Sequence, residues 1–301
     1  MTAAPKSLRR KKHLTSFDVA NYSMMIVVCF LIVYPLWYTL VHSFNDGTDT
    51  VLRGPVYFLP RLPTLENYVA VFENPEIVAA FGVSAARTAF GTVAHVSFTA
   101  MVAYAFTKKR LIGRRIWLSM GTVTLFFSGG LIPTYLLVRQ LGLIDSFLVY
   151  ILVPMFNFFH CVIFMNFFRT IPESLEESAQ IDGAHEFWIF TNVIVPLSKP
   201  VLATIALFNG VFNWNDYFYG VIYINRQTWL LPIQTFLFRV VASSQAHAML
   251  NIYSHGVVRV TVTPESIRMA TMMVTTFPVI CVYPFLQRYF TKGMLLGSIK
   301  G

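Results

Sequence analysis

The sequence predicts an all-α polytopic membrane protein with six transmembrane helices, and three observations carry that reading. The 301 residues are 55% hydrophobic and only 12% charged, with a mean hydropathy of +0.59, too apolar and too poor in charge for an ordinary soluble domain. Six apolar runs, each near the roughly 20 residues that a ~30 Å hydrocarbon core requires, are separated by polar turns. With both ends placed on the cytoplasmic side, the inner segments hold fifteen Lys and Arg against seven in the outer ones, as inner loops should. The net charge of +9 therefore follows from topology, and no basic patch interleaved with aromatics marks a nucleic-acid surface.

Residues 1–20 read as a basic cytoplasmic N-terminus carrying Lys6, Arg9, Arg10, Lys11 and Lys12, and residues 21–301 as a single transmembrane domain. A basic start before an apolar run also suits a signal peptide. No small-residue cleavage site follows, however, and Tyr34-Pro35-Leu36-Trp37 continues the run, so 22–41 is expected to be an uncleaved first span. Residues 43–76 hold Pro55, Pro60, Pro63 and Pro75 and form an outer loop with an interfacial helix near 65–69. The second span, 81–106, is rich in Gly, Ala, Ser and Thr, which suits close helix packing in lipid. Lys108, Lys109, Arg110, Arg114 and Arg115 then make a short inner turn.

The third span is expected at 116–138 and the fourth at 147–168. Gly129, Gly130 and Pro133 would loosen the third helix, as either a gating bend or a static kink. The fifth and sixth spans are expected at 201–224 and 267–290. Between them the longest polar loop carries Arg226, Arg239, His247, His255 and Arg259, and a tail follows at 291–301. Cys29, Cys161 and Cys281 each lie in an apolar run, which argues against disulfides and metal spacing and for small core residues.

One stretch, 170–200, does not behave like membrane. It holds Glu173, Glu176, Glu177, Asp182 and Glu186, five of the chain's fourteen carboxylates. Thr170 with Glu173 fits a capping box, Pro172 suits a first turn, and Gly183 is a natural helix stop. Leu175, Ser178, Ala179 and Asp182 share one face, small in the middle, so a neighbour can approach closely. A second helix runs from about Ala184 until Pro196 and Pro200 punctuate it. Only Arg169 and Lys199 bracket this inner loop, which points to a basic docking partner.

Inside the spans, Asn209, Asn213 and Asp216 recur at four and three residues beside Trp214 and Tyr217, on one helical face. They either line a translocation path or bond between helices. Arg87 either snorkels to the outer surface or faces a cavity, where it would favour an anionic substrate. His95 and His160 have no carboxylate near them in the spans and read as satisfied core residues rather than proton relays. No HExxH, CxxC, GxxxxGK[ST] or GxSxG is present, so neither a metal site nor ATP hydrolysis is placed on this chain, and the energy source must be another subunit. A proton-coupled secondary transporter remains the alternative of a different class.

The order Glu177-Ser178-Ala179, three residues, Gly183, nine residues, Val193-x-Val195-Pro196 resembles the EAA cytoplasmic loop of ABC importer permeases, EAA-x(3)-G-x(9)-I-x-L-P. Spacing is fully kept; Ser178, Val193 and Val195 replace residues of similar size. The resemblance implies a type I importer permease fold like that of the maltose permease. It also implies a coupling loop in which Glu177, Ser178, Ala179, Asp182, Gly183 and Pro196 engage an ATPase cleft. Implied partners are a second homologous permease, two ATP-binding cassette subunits that hold ATP and Mg, an extracytoplasmic solute-binding protein, carbohydrate and membrane lipid, in a bacterial inner membrane. No cofactor is expected on this chain. The run FFSGGLIPTYLLVRQLGLIDSFLVYILVP resembles the branch importing oligosaccharides and polysaccharide fragments, among them the alginate importer. An acidic oligosaccharide is thus the expected substrate, with neutral oligosaccharides the alternative. Residues 212–218 resemble the family's W-N-D/E-aromatic stretch, and Lys292-Gly293 to Lys300-Gly301 resembles its C-terminal tail along the ATPase pair.

Overall fold

The computed structural model describes residues 15–239, 242 and 262–298, the stretch 282–298 by its backbone. Among these, every regular element is helical, and the extended pairing is confined to an isolated bridge between Asn45 and Pro63. Helix α1 (Ser16–Ser43) starts at a capping box, with the Thr15 hydroxyl accepting from the Asp18 N–H and the Asp18 carboxylate accepting from the Thr15 N–H at 2.9 Å. It is apolar on all sides and much of that surface is exposed, as a helix in lipid requires. The loop after α1 carries two short helices, α2 (Gly47–Arg53) and α3 (Glu66–Glu73). Asn67 Nδ2 donates to the carbonyls of Ser43 and Asn45, and Arg61 Nε to Asp49 Oδ2 at 2.8 Å, which ties the loop to the end of α1.

Helix α4 (Pro75–Thr107) is the scaffold. Asn74 caps it and Pro75 occupies its first turn, where a missing N–H costs nothing. It packs against the fourth and fifth apolar segments. The third segment, expected at 116–138, bends where Gly129, Gly130 and Pro133 were expected to loosen it, and it is two helices rather than one. α5 (Arg114–Phe126) and α6 (Leu131–Gln140) meet at 119°, because Gly130 takes φ +86° and Pro133 follows it. The fourth segment is also interrupted. α7 (Val149–Leu152) ends before Pro154, and α8 (Phe158–Phe168) restarts where extended Asn157 accepts at Oδ1 from the N–H groups of Phe159 and His160.

Helix α9 (Glu173–Ile181) and helix α10 (Glu186–Leu197) form the hairpin at 170–200, and α10 includes a π-turn at Phe190–Ile194. An 83° bend at Ser198 leads into α11 (Lys199–Asn215). The fifth segment breaks again before α12 (Phe218–Tyr223), so 201–224 is two helices. After a short helix α13 (233–239), α14 (Pro264–Ser298) closes the chain. Asp145, at φ +57°, accepts the N–H groups of Asn225 and Arg226 and pins the chain just after α12. His247, His255 and Arg259, and residues 299–301 of the tail, lie outside the described residues.

Among the described residues, α1 and α4 are long and apolar enough to cross a membrane alone, and two bent pairs bring the number to four at most. Cys161 is buried in the α4–α8–α10 core, whereas Cys29 and Cys281 are exposed on helix surfaces; apolar surroundings in a lipid-facing helix do not imply a core.

Candidate functional site

The hairpin is built by a C-terminal glycine motif. Gly183, at φ +85°, donates to the Gln180 carbonyl, and Ala184 donates to that of Ala179, so the last carbonyls of α9 are satisfied as the chain turns. The expected capping box at the other end does not form. Thr170 donates its hydroxyl to the Phe167 carbonyl instead, and Pro172 caps α9 without a side-chain bond. Leu175, Ser178, Ala179 and Asp182 lie together as expected, and with Trp188 and Val193 of α10 they line a groove of about 570 Å³.

The hairpin's charges are divided into two groups. Lys108, at the end of α4, is paired with Glu176 and lies 3.0 Å from Glu186. Arg110 reaches Glu186 at 2.9 Å, Lys109 reaches Glu173 at 3.3 Å, and the Tyr104 hydroxyl donates to Glu186. Burial opposes the charge of Lys108, but its bonds to Glu176, Tyr104 and Glu186 outweigh that and hold it above the usual lysine range. For Glu186, burial would raise its pKa, and the bonds to Lys108 and Tyr104 with the Arg110 charge bring it below the usual carboxylate range. Three of the five carboxylates are therefore neutralised by the chain's own basic turn, of which the sparse flanking cations Arg169 and Lys199 gave no sign. Glu177 and Asp182 make no ion pair among the described residues and are exposed beside Ile181 and Phe187.

A second site lies where the broken segments meet. Asn213 donates to Asn209 Oδ1 at 2.7 Å, both residues being buried on the face of α11 toward α4, where a side chain at Gly91 would crowd Asn213. Arg87 is fully buried. It donates to the Asp216 carbonyl at 3.0 Å and its carboxylate at 2.8 Å, with its guanidinium 4.5 Å from the centre of the Tyr150 ring. It does not snorkel, because a carboxylate 129 residues away meets it inside the protein. Asp216 also accepts from the N–H groups of Phe218 and Tyr219, which is why the helix breaks there. Trp214 is buried and bonds the Thr275 carbonyl of α14, and Tyr217 stacks on Phe238 at 4.9 Å. Of Asn209, Asn213, Asp216, Trp214 and Tyr217, only Asn209 lines the adjoining cavity of about 420 Å³, together with His95, Asn157, His160, Phe208 and Tyr219. His95 donates from Nδ1 to the Pro154 carbonyl and its Nε2 lies 2.8 Å from His160 Nδ1, so each satisfies the other.

A family model described as a binding-protein-dependent transport system inner membrane component matches residues 89–296, well over half of the chain. The chain belongs to this family. The permease is similar to protein LplC of Bacillus subtilis (strain 168), at 39% identity over 287 residues, covering 95% of each chain. It is 37% identical over 288 residues to the polygalacturonan/rhamnogalacturonan transport system permease protein YtcP of the same organism, covering 95% of the permease and 98% of YtcP. A chain in a crystal structure of a bacterial ABC transporter involved in the import of the acidic polysaccharide alginate superposes with a TM-score of 0.81 at 29% identity. That match covers 95% of the permease and 100% of the other chain. The permease therefore has the type I importer fold and, like its relatives, is a transport subunit without an enzymatic site of its own.

Sequence reasoning missed two features of the permease. The latch from Lys108–Arg110 to the hairpin was foreshadowed only by five basic residues facing five acidic ones across the inner side. The cavity at the Asn157 break was foreshadowed only as separate polar positions, Asn209, His95 and His160 among them, since its residues come from three separate apolar segments.

Proposed function

We propose that the permease is one of two membrane subunits of an ATP-driven, binding-protein-dependent carbohydrate importer, and that its substrate is an acidic oligo- or polysaccharide such as alginate. The observation that carries the coupling role is the hairpin. It is latched to α4 through Glu173, Glu176 and Glu186, while Glu177 and Asp182 make no ion pair among the described residues and, like Ile181 and Phe187, are exposed. Two ATP-binding cassette subunits, which hold ATP and Mg, dock on those exposed residues. Glu177 pairs with a basic residue of their cleft, Ser178 and Ala179 allow close approach, and Gly183 fixes the turn. Closure of the ATPases then moves the hairpin as a rigid body, and Pro196 and the bend at Ser198 pass the motion to α11. Six crossings with both termini in the cytoplasm accompany this reading.

The substrate class is supported by the relatives, one a polygalacturonan/rhamnogalacturonan permease and one a component of an alginate importer. Arg87 does not support it, since Asp216 already neutralises its charge. The test is reconstitution of the permease with its co-encoded partner permease, ATPases and solute-binding protein in vesicles. ATP-dependent uptake of an acidic oligosaccharide, absent with a Walker-deficient ATPase, is expected. Uptake that persists without ATP and collapses with a protonophore overturns the proposal in favour of proton coupling.

A further inference from the structure

Resting on that reading, we infer that the cavity at the Asn157 break is a subsite for one sugar residue that carries a carboxylate. The carboxylate is read there by neutral amide donors rather than by arginine. The argument is an inventory of donors and acceptors. Asn157 lends its Oδ1 to the N–H groups of Phe159 and His160, at 2.9 and 3.2 Å, so only its Nδ2 donors are left for a ligand. Asn209 lends its Oδ1 to Asn213, so it too offers only Nδ2, which has no partner among the described residues. The Tyr219 hydroxyl makes no hydrogen bond among the described residues either, and it borders the same cavity.

The histidine pair sets the remaining position. A carbonyl oxygen only accepts, so His95 carries its proton on Nδ1 toward Pro154, and its Nε2 accepts from His160 Nδ1–H. In the neutral pair this leaves His160 Nε2 as an acceptor bordering the cavity. The walls between these polar groups are aromatic: Phe208 stacks on His160 at 6.2 Å, and Phe212 lies edge-on to Tyr219 at 6.4 Å. About 420 Å³ is within the range of small-ligand pockets, roughly 300–1,000 Å³, in which a few placed polar groups fix orientation against apolar walls. Two amide nitrogens stripped of their own acceptors suit a group that only accepts, and a carboxylate is that group. A neighbouring sugar hydroxyl can donate to His160 Nε2, and the CH face of the ring lies against the phenyl walls. The buried cation nearest by, Arg87, is spent on Asp216, so recognition is by neutral donors.

The experiment uses Asn157→Asp and Asn209→Asp in the complete reconstituted importer. Each keeps the oxygen that caps α8 or accepts from Asn213, and replaces the donor with a repelling oxygen. Uptake of trigalacturonate is compared with uptake of its methyl ester. Loss of a hydrogen bond to a charged group lowers the acid-to-ester uptake ratio by about tenfold or more in each variant. An unchanged ratio, whether both probes fall together or neither falls, overturns the inference. If the unmutated importer takes up neither probe with ATP, the proposed function itself fails and the subsite falls with it, an outcome visible before any variant is made.

Discussion

Arg87 on α4 and Asp216 at the end of α11 form a two-point contact, with Nη1 on the Asp216 carbonyl at 3.0 Å and Nη2 on its carboxylate at 2.8 Å. The guanidinium thereby satisfies both a charge and one of the free carbonyls at a broken helix. Removing one member strands the other. Arg87→Ala leaves a mostly buried carboxylate unpaired and should destabilise the folded protein by about 3–5 kcal/mol. Arg87→Lys should recover only part of that, because an ammonium lacks the two-pronged geometry. Thermal unfolding of the detergent-solubilised variants measures both, and an Arg87→Ala protein as stable as the parent would show that the pair is not structural.

The latch at Lys108 has a definite pH window. Glu186 is held below the ordinary carboxylate range, so its contribution is present above that range and is lost as pH falls through its lowered value. Lys108 is held above the ordinary lysine range, so its share is present below that range and is lost only in strong alkali. Hydrogen-exchange protection of 173–186 should therefore be flat through neutrality and drop only on acidification below the ordinary carboxylate range. Lys108→Met should reproduce the acid behaviour at neutral pH. Lys109→Met should not, since both Lys109 and Glu173 are exposed and such pairs contribute about 0–1 kcal/mol.

Gly183 and Gly121 separate backbone demand from steric demand. A Cβ on Gly183 would meet nothing within 4 Å, yet φ is +85°, so Gly183→Ala costs about 1–2 kcal/mol through conformation alone. Gly183→Val should deform the turn and uncouple ATP hydrolysis from uptake while leaving the membrane helices folded. A Cβ on Gly121 would sit 2.0 Å from the Phe158 ring, so Gly121→Ala should instead loosen α5 from α8 and lower the melting temperature. Coupled uptake at the parental rate in Gly183→Val would rule out a role for the turn in coupling.

Elements fixed by local chemistry were legible in the sequence. The Gly183 stop, the shared face of Leu175, Ser178, Ala179 and Asp182, and the paired helices of the hairpin all follow from spacing and backbone preference. The apolar runs were legible as membrane segments, and so was a bend at Gly129, Gly130 and Pro133; the breaks at Asn157 and Asp216 were not, because hydropathy counts side chains and is blind to an Asn157 or Asp216 that caps a new helix within an apolar run. Long-range pairing was the other blind spot. Arg87 reads as a lone charge until α11 brings Asp216 to it, and the acidic loop reads as unneutralised until α4 delivers Lys108.

That division of charge supplies the most discriminating prediction for docking. Glu176 and Glu177 are neighbours in sequence, but Glu176 pairs with Lys108, whereas Glu177 makes no ion pair among the described residues. Asp182 makes none among them either and lies on the groove face with Ala179. If a basic cleft receives the hairpin, Glu177→Lys and Asp182→Lys each place like charges together at the contact. They should lower co-purification of the ATPase subunits by at least tenfold, equivalent to about 1.4 kcal/mol. Glu173→Lys should have less effect on co-purification, because the Glu173 carboxylate already faces Lys109 at 3.3 Å. Equal losses in all three variants would mean that the hairpin answers only to its net charge, and neither Glu177 nor Asp182 would then be a specific docking contact.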